Sequence, residues 1–274
     1  MAGILYVVGT PIGNLSDLSP RAVETLGMVD FIAAEDTRVT VKLLNHFGIK
    51  KPLVSYYEHN KLERGQIILD RILSGESCAL VSDAGMPAIS DPGELLVAQC
   101  AEAGIQVLAV PGPSAVISAL AVSGLPTGRF TFEGFLSVNK KSRREHLADV
   151  KNERRTMVFY EAPHKLSATL HDMLMAWGDR KLAIVREITK IHEEVIRTTL
   201  AQADERFQTE TPRGEIVLVI AGAEAPVEQD IPLEEAVQMA REFLAQGMST
   251  AEAAKRAAQL TPFKKGEIYR QLLG

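Results

Sequence analysis

The residues best suited to chemistry lie in one run, Ser82-Asp83-Ala84-Gly85-Met86-Pro87-Ala88-Ile89-Ser90-Asp91-Pro92-Gly93, which holds two each of Gly, Pro, Asp and Ser. Proline fixes φ, glycine permits left-handed backbone, and a carboxylate can bind a ligand or cap a helix. A strand-to-helix connection usually needs about 2–6 residues. This longer, constrained stretch is therefore either a shaped ligand loop or a connection rich in turn residues. Thr10–Asn14, Glu35–Arg38 and Pro111–Ser114 carry a similar mixture, each after an apolar run. In a parallel sheet all four strand ends emerge on one edge, where open α/β sheets bind small molecules. Acidic groups and exposed backbone dominate these ends and cations are few. That composition suits hydroxyls, an amine or a positive centre better than a polyphosphate.

Several familiar signatures are missing. Gly9 and Gly13 lack the G-x-G-x-x-G spacing, no G-K-[ST] P-loop follows, and no G-x-S-x-G elbow is present. What remains at Gly9–Gly13 is a turn with close backbone access to a ligand. The six histidines are scattered, without H-E-x-x-H or cysteine partners at metal spacing, so no metal is expected. Phe159–His164 either sets Tyr160 and Glu161 at a cleft or simply ends a strand. Arg186–Lys190 is either a polar wall of the site or a salt-bridged strand edge. Asn139–Arg155 holds seven Lys/Arg against three acids. It is a solvated helix face, or an RNA-binding one working by counter-ion release. Lys255, Arg256, Lys264, Lys265 and Arg270 repeat the theme near the end.

The elements that must position these groups follow from the apolar pattern. Short runs at Ile4–Val8, Phe31–Ala34, Leu53–Ser55, Cys78–Val81 and Gln106–Val110 alternate with helical stretches. They predict a mostly parallel α/β domain over residues 1–124. From 125 the texture changes. Phe130–Phe132, Gly134–Leu136, Thr156–Tyr160, Leu182–Glu187, Val195–Leu200 and Gly214–Ala221 predict strands with fewer intervening helices. Helices are expected at Lys140–Lys151 and His164–Trp177, giving a second α/β domain with a mixed, largely antiparallel sheet over 125–222. A proline-containing linker at 222–232 leads to helices at Leu233–Gln246, Ser249–Gln259 and Lys264–Leu273, within a segment spanning 223–274. Ser249 and Glu252 have capping-box spacing. The last two helices have helix-turn-helix spacing, as a nucleic-acid reader or merely a helical cap.

At 274 residues, 46% apolar and 24% charged, the composition is that of a soluble globular protein. No apolar run is long enough for a membrane span. Two cysteines, Cys78 and Cys100, make neither a disulfide framework nor a metal cluster, and a cytoplasmic location is expected. The net charge of −5 is uneven. Residues 1–124 carry 8 Lys/Arg against 13 Asp/Glu, whereas residues 125–222 carry 16 against 14. The acidic first half excludes nucleic acid wrapped over the whole surface but leaves local basic patches.

The blocks GTPIGNL, AAEDTR, SDAGMPAISDPG, PGPSA, FYEAPHKL, REITKIHEE and RGEIVLVIAG occur in that order across residues 9–222, with KKGEIYR near the end. Together they resemble the bacterial small-subunit (16S) ribosomal RNA methyltransferase I family, cytidine-2′-O-methyltransferases of the tetrapyrrole-methylase-like superfamily. The resemblance implies two α/β domains of that type plus a small C-terminal helical segment, and a homodimer. It also implies S-adenosyl-L-methionine (S-adenosylmethionine) held between the domains, and a cytidine ribose in the decoding region of 16S rRNA, or of the small ribosomal subunit, as acceptor. Carried over by position, it implies donor contacts from Pro11, Asp83, Ala84, Gly85, Pro87, Pro113, Ser114, Tyr160, Glu161 and Ala162. Met86 stands where the family usually has Thr, and Ser137 follows GFL where Pro is usual.

Methyl transfer from a sulfonium needs alignment and exclusion of water rather than a metal or a covalent nucleophile. A ribose hydroxyl is a poor nucleophile, so a general base is sought among the strand-end residues Glu35, Asp36 and Glu187, with Lys190 as an alternative. Asp36 and Glu187 are preferred. Lys140, Lys141, Arg143, Arg144, Lys264 and Lys265 are the expected RNA contacts, and exchanging Arg143 and Arg144 for Glu should weaken RNA engagement alone. Two other readings stay open. One is a tetrapyrrole C-methyltransferase, which would have no use for the basic segment or the tail. The other is a non-catalytic nucleic-acid-binding protein.

Overall fold

The computed structural model describes residues 2–224 and 231–273. Met1–Ala223 form one compact unit and Glu224–Gly274 a second. In the first unit, β1 (Ile4–Val8), β2 (Phe31–Ala34), β3 (Leu53–Ser55), β4 (Cys78–Val81) and β5 (Gln106–Val110) form an all-parallel sheet of order β3-β2-β4-β1-β5. The period-two alternation of these strands feeds both faces. Val8, Ile32, Ala34 and Val81 meet α1 (Pro20–Met28) and α2 (Thr37–His46) on one side. Leu5, Phe31, Ala33 and Leu80 meet α3 (Lys61–Leu73) and α4 (Gly93–Glu102) on the other. The chain leaves β1 toward β2 by way of α1, and leaves β4 toward β5 by way of α4. Adjacent strands thus send their helices to opposite faces. The ends of β1 and β4 form a topological switch point, with a crevice between their loops.

The second sheet takes the order β6-β7-β10-β8-β9, from β6 (Phe130–Phe135), β7 (Thr156–Glu161), β8 (Lys181–Arg186), β9 (Glu194–Thr199) and β10 (Ile216–Ile220). Only β6·β7 is parallel, so the sheet is mixed and largely antiparallel, as the strand spacing predicts. The two aromatic runs expected at 130–136 are one strand, its register broken between Phe132 and Gly134, where Gly134 takes φ +66°. One face is covered by α6 (Lys140–Asp149), α7 (Leu166–Trp177) and α8 (Leu200–Phe207), through Leu147, Leu170, Met173 and Phe207. The opposite face is covered by α5 (Ala115–Val122), whose Val116, Ala119 and Leu120 pack on Val158, Val185 and Val219. The helix that closes the first βα series therefore serves the core of the second sheet.

In the second unit, α9 (Leu233–Ala245), α10 (Thr250–Leu260) and α11 (Lys265–Leu273) enclose their own core of Ala236, Val237, Ala240, Ala254, Ala257 and Ile268. Ser249 and Glu252 make the expected capping box. Thr261–Lys264 join α10 to α11. The expected linker falls mostly outside the described residues. Among those residues no helix is long and apolar enough to cross a membrane, and Cys78 and Cys100 are buried free thiols.

Candidate active site

The four unusual strand ends converge, three of them through backbone and the Glu35–Arg38 end through the Asp83 carboxylate, which accepts from Asp36 N at 2.9 Å. Thr10 N donates to Gly85 O at 2.9 Å and Gly85 N returns to Thr10 O at 3.1 Å, so the loops after β1 and β4 are stitched together. The Thr10 hydroxyl adds a bond to Ser82 O at 3.2 Å. Gly9 lies flat on Gly112, and a Cβ added to Gly9 would stand 2.7 Å from Gly112 Cα and 2.7 Å from Met86 Sδ. The close approach at Gly9 is to the loop after β5. Gly13 is equally tight against Lys190, where its Cβ would meet Cγ at 2.6 Å. Within the central loop, Ala88 and Ser90 hold φ of +66° and +61°, positions that cost side-chain-bearing residues energy. Asp91 restrains them, accepting from Ala88 N at 2.9 Å and from Gly93 N at 2.8 Å. It thereby satisfies the first N–H of α4, which opens at Gly93.

These loops form one side of a cavity of about 460 Å³, and the end of β7 with the start of β10 forms the other. Of the ten expected donor contacts, the structure brings Asp83, Ala84, Gly85, Ser114, Tyr160, Glu161 and Ala162 onto the wall. Pro11, Pro87 and Pro113 are not on it; each sits beside a residue that is, and shapes the loop instead. Sequence reasoning assigned no binding role to Met86 or to the stretch Gly214–Val217, all on the wall. The signal for the latter was the block RGEIVLVIAG, whose strand was legible and whose leading Gly-Glu faces the cavity. Tyr160 is held edge-on by Phe132, with ring centres 5.0 Å apart, and tilted against Phe135 at 5.3 Å. Glu161 is buried and fully engaged: it accepts from Ala162 N at 2.7 Å and from the Thr169 hydroxyl at 2.5 Å, and pairs with Lys165 Nζ at 3.0 Å.

The general-base expectations need correction. Asp36 is absent from the wall. Its carboxylate caps α2 through Arg38 N at 2.8 Å and pairs with the Arg38 guanidinium, whose hydrogen bonds pull its pKa down to about 2. So strongly held a carboxylate is a poor proton acceptor. Glu187 and Lys190 are also off the wall. The Glu187 carboxylate accepts from Lys190 Nζ at 2.9 Å and from Glu215 N at 2.9 Å, and is lowered by those bonds. Burial pulls Lys190 down, but hydrogen bonds from it to Glu187 and Glu215 outweigh that and raise it, so its charge is not lost. The pair braces Glu215, which does face the cavity. Two half-buried carboxylates line the wall: Asp91, which is occupied by the N–H groups of Ala88 and Gly93, and Glu35, which is not held by those groups. Burial raises the Glu35 pKa, and the charge of Asp83 adds to the effect.

The RNA expectations divide. Arg143 turns inward and is 9% exposed, its Nε and Nη2 donating to Asp172 Oδ2 at 2.8 and 2.6 Å. It is a structural residue, and its assignment to RNA is corrected. Lys140, Lys141 and Arg144 stay exposed around a shallow concavity on α6, and Lys264 and Lys265 are exposed at the start of α11. Among the described residues no group of three or more His, Cys, Asp or Glu could hold a metal ion.

Residues 4–204 match the family model of tetrapyrrole (corrin/porphyrin) methylases. The ribosomal RNA small subunit methyltransferase I of Synechocystis sp. is 48% identical over 269 residues, covering 98% of this chain and 96% of the relative. The chain belongs to that methyltransferase family. The relative of the same name from Thermotoga maritima is 51% identical over 222 residues, which are 100% of it but 81% of this chain. An extension about the size of the three-helix unit is therefore not shared by every member of the family. Uroporphyrin-III C-methyltransferase from Thermus thermophilus, complexed with S-adenyl homocysteine, superposes with a TM-score of 0.55 at 18% identity, over 79% of this chain and 97% of that one. This likeness is one of fold.

Proposed function

We propose that the protein transfers a methyl group from S-adenosylmethionine to a 2′-hydroxyl of a cytidine in the decoding region of 16S ribosomal RNA. The observation that carries the reading is an acid-walled cavity free of lysine and arginine, at the switch point of a chain nearly half identical to ribosomal RNA small subunit methyltransferases I. The residues fit the donor. The cavity volume lies in the range of about 300–1,000 Å³ typical of small-molecule sites, and the carboxylates of Glu35, Asp83 and Asp91, which form no ion pair among the described residues, favour a sulfonium over a phosphate. Bound there, S-adenosylmethionine supplies an electrophilic methyl on a cationic sulfur.

The chain's own residues do the rest. Ser82–Gly85, Ser114 and Tyr160–Ala162 hold the donor, and the Thr10–Gly85 bridge fixes the loops so that little ordering remains on binding. The apolar side chains Ile12, Ile89 and Phe135 limit access of water. Glu35 accepts the proton that the ribose hydroxyl gives up and passes it to solvent. Lys140, Lys141 and Arg144 on α6, with Lys264 and Lys265 in the second unit, meet phosphates. The enzyme works in the cytoplasm as a homodimer.

Incubation of small-subunit particles with methyl-labelled donor tests this directly. Label should resist alkali in a dinucleotide containing cytidine, because a methylated 2′-oxygen cannot attack the adjacent phosphodiester. Label on a base, or transferred instead to a tetrapyrrole, refutes the assignment. Glu35→Gln should lower kcat by about 10²-fold with donor affinity little changed. In the parent, kcat should fall as pH drops through the raised Glu35 value, a limb the variant lacks. Undiminished kcat in the variant removes Glu35 from the chemistry.

A further inference from the structure

An RNA acceptor carries a phosphate on each side of the ribose it presents. Of the carboxylates on the wall, Glu161 pairs with Lys165 and Glu215 with Lys190, but Glu35, Asp83 and Asp91 form no ion pair among the described residues and repel such a phosphate. The segment Glu210–Val217 borders two concavities at once. Gly214–Val217 face the acidic cavity, and Glu210–Arg213 face a second one of about 270 Å³ with Arg186, Arg206 and Phe207 around it. The peptide bond joining Arg213 to Gly214 is trans, so their Cα atoms lie about 3.8 Å apart. We propose that this second concavity, through Arg213 and Arg206, binds a phosphodiester of the RNA beside the ribose being methylated, an inference that rests on the RNA reading above.

The three arginines have different tasks. Arg186 is an anchor: Nη1 pairs with Glu194, while Nε and Nη2 donate to Arg213 O at 3.4 and 3.2 Å. It is engaged in holding the loop. Arg206 donates Nε to Glu210 at 2.7 Å, leaving its two terminal nitrogens to point elsewhere, and it lies over the Phe207 ring at 5.1 Å. Arg213 is exposed, and its side chain makes no hydrogen bond or ion pair among the described residues. Glu194 and Glu210 are each answered by one arginine, so the concavity keeps one uncompensated positive charge. A phosphodiester carries one negative charge and takes planar guanidinium donors well. The shared wall couples the two sites: a phosphate seated on Arg213 lies one residue from the glycine that borders the acidic cavity.

The test uses the full chain and small-subunit particles, with Arg213→Gln and the double variant Arg206→Gln/Arg213→Gln. Exposure of Arg213 makes a folding defect avoidable, and unchanged thermal melts verify that. Arg213→Gln should raise KM for particles roughly tenfold and flatten the log KM–log salt slope by about one, with kcat at saturating particles within about twofold. Donor affinity by calorimetry should equal the parent's, and Arg213→Lys should recover part of the loss. Parent KM and salt slope in the double variant overturn the subsite, as does a matching loss of donor affinity, which would make Arg213 a prop of the acidic cavity. A parent protein that methylates no particle at all defeats the function reading itself, a result visible before any variant is made.

Discussion

Arg143→Met should destabilise the first unit by about 3 kcal/mol, although the residue sits in the most basic stretch of the chain. The side chains of Arg143 and Asp172 are 11% and 4% exposed, and the guanidinium grips one carboxylate oxygen twice while Nη1 reaches Ser137 O at 3.3 Å. Removing one partner of a buried ion pair costs roughly 3–5 kcal/mol, because the other charge stays behind without its counter-charge. Arg144 still donates to Asp172 at 3.2 Å, which selects the lower end. For a unit of this size that corresponds to about 6–12 °C in Tm. Arg144→Met, at 58% exposure, should cost at most about 1 kcal/mol. Arg143→Met/Asp172→Leu should return close to the parent, since no charge is stranded. Burial raises the Asp172 pKa, but hydrogen bonds from Arg143 and Arg144 prevail and hold it below its usual value. The stabilisation is therefore complete above the unfolded pKa of about 3.9 and disappears as pH falls through the folded one. Urea titrations at pH 7 and pH 3, followed by fluorescence of the single tryptophan, report on this unit, because Trp177 Nε1 donates to Leu147 O in α6. A cost under about 1 kcal/mol for Arg143→Met, or a double variant no better than the single one, refutes the reasoning.

Gly9→Ala should separate the loops after β1 and β5. The new Cβ meets Gly112 backbone at 2.7 Å, and backbone cannot yield as the Met86 side chain can. A loss of about 1–3 kcal/mol in stability and weaker donor binding by calorimetry are expected, whereas Gly27→Ala in α1, with nothing within 4 Å, should be neutral or stabilising. Lys140→Glu/Lys141→Glu and Lys264→Glu/Lys265→Glu should each weaken particle binding and reduce its salt dependence, leaving donor affinity and melting unchanged in filter-binding and calorimetric assays.

The strands of the first sheet were legible to the residue because each is a short, mostly apolar run between turn-forming residues; Phe31–Ala34 is 0% exposed throughout, whereas the edge strands β3 and β5 are partly exposed. The helix α8 was not read at all. It is only eight residues long, and its apolar positions Leu200, Ala203 and Phe207 blend into the strand before it; Thr199, which caps it, was its one local sign. Nor did the sequence suggest that α5 packs on the second sheet, since hydrophobicity tells that a helix is buried but not which surface buries it.

The charged residues show why the cavity could be located while its chemistry could not be assigned residue by residue. Burial of apolar side chains is written locally, in period and run length. The task of a carboxylate or guanidinium depends on which opposite charge folding delivers to it. Asp36 and Glu35 are neighbours of one chemical kind, yet the first meets Arg38 two residues along and is used up in capping, while the second turns into the cavity and has its pKa raised. Arg143 and Arg144 are likewise adjacent and identical, and Asp172, 29 residues beyond Arg143, draws one inside and leaves the other at the surface. A charge whose partner is close in sequence can be discounted in advance. One whose partner is brought by a separate helix cannot, and those are the residues a functional assignment from sequence must leave open.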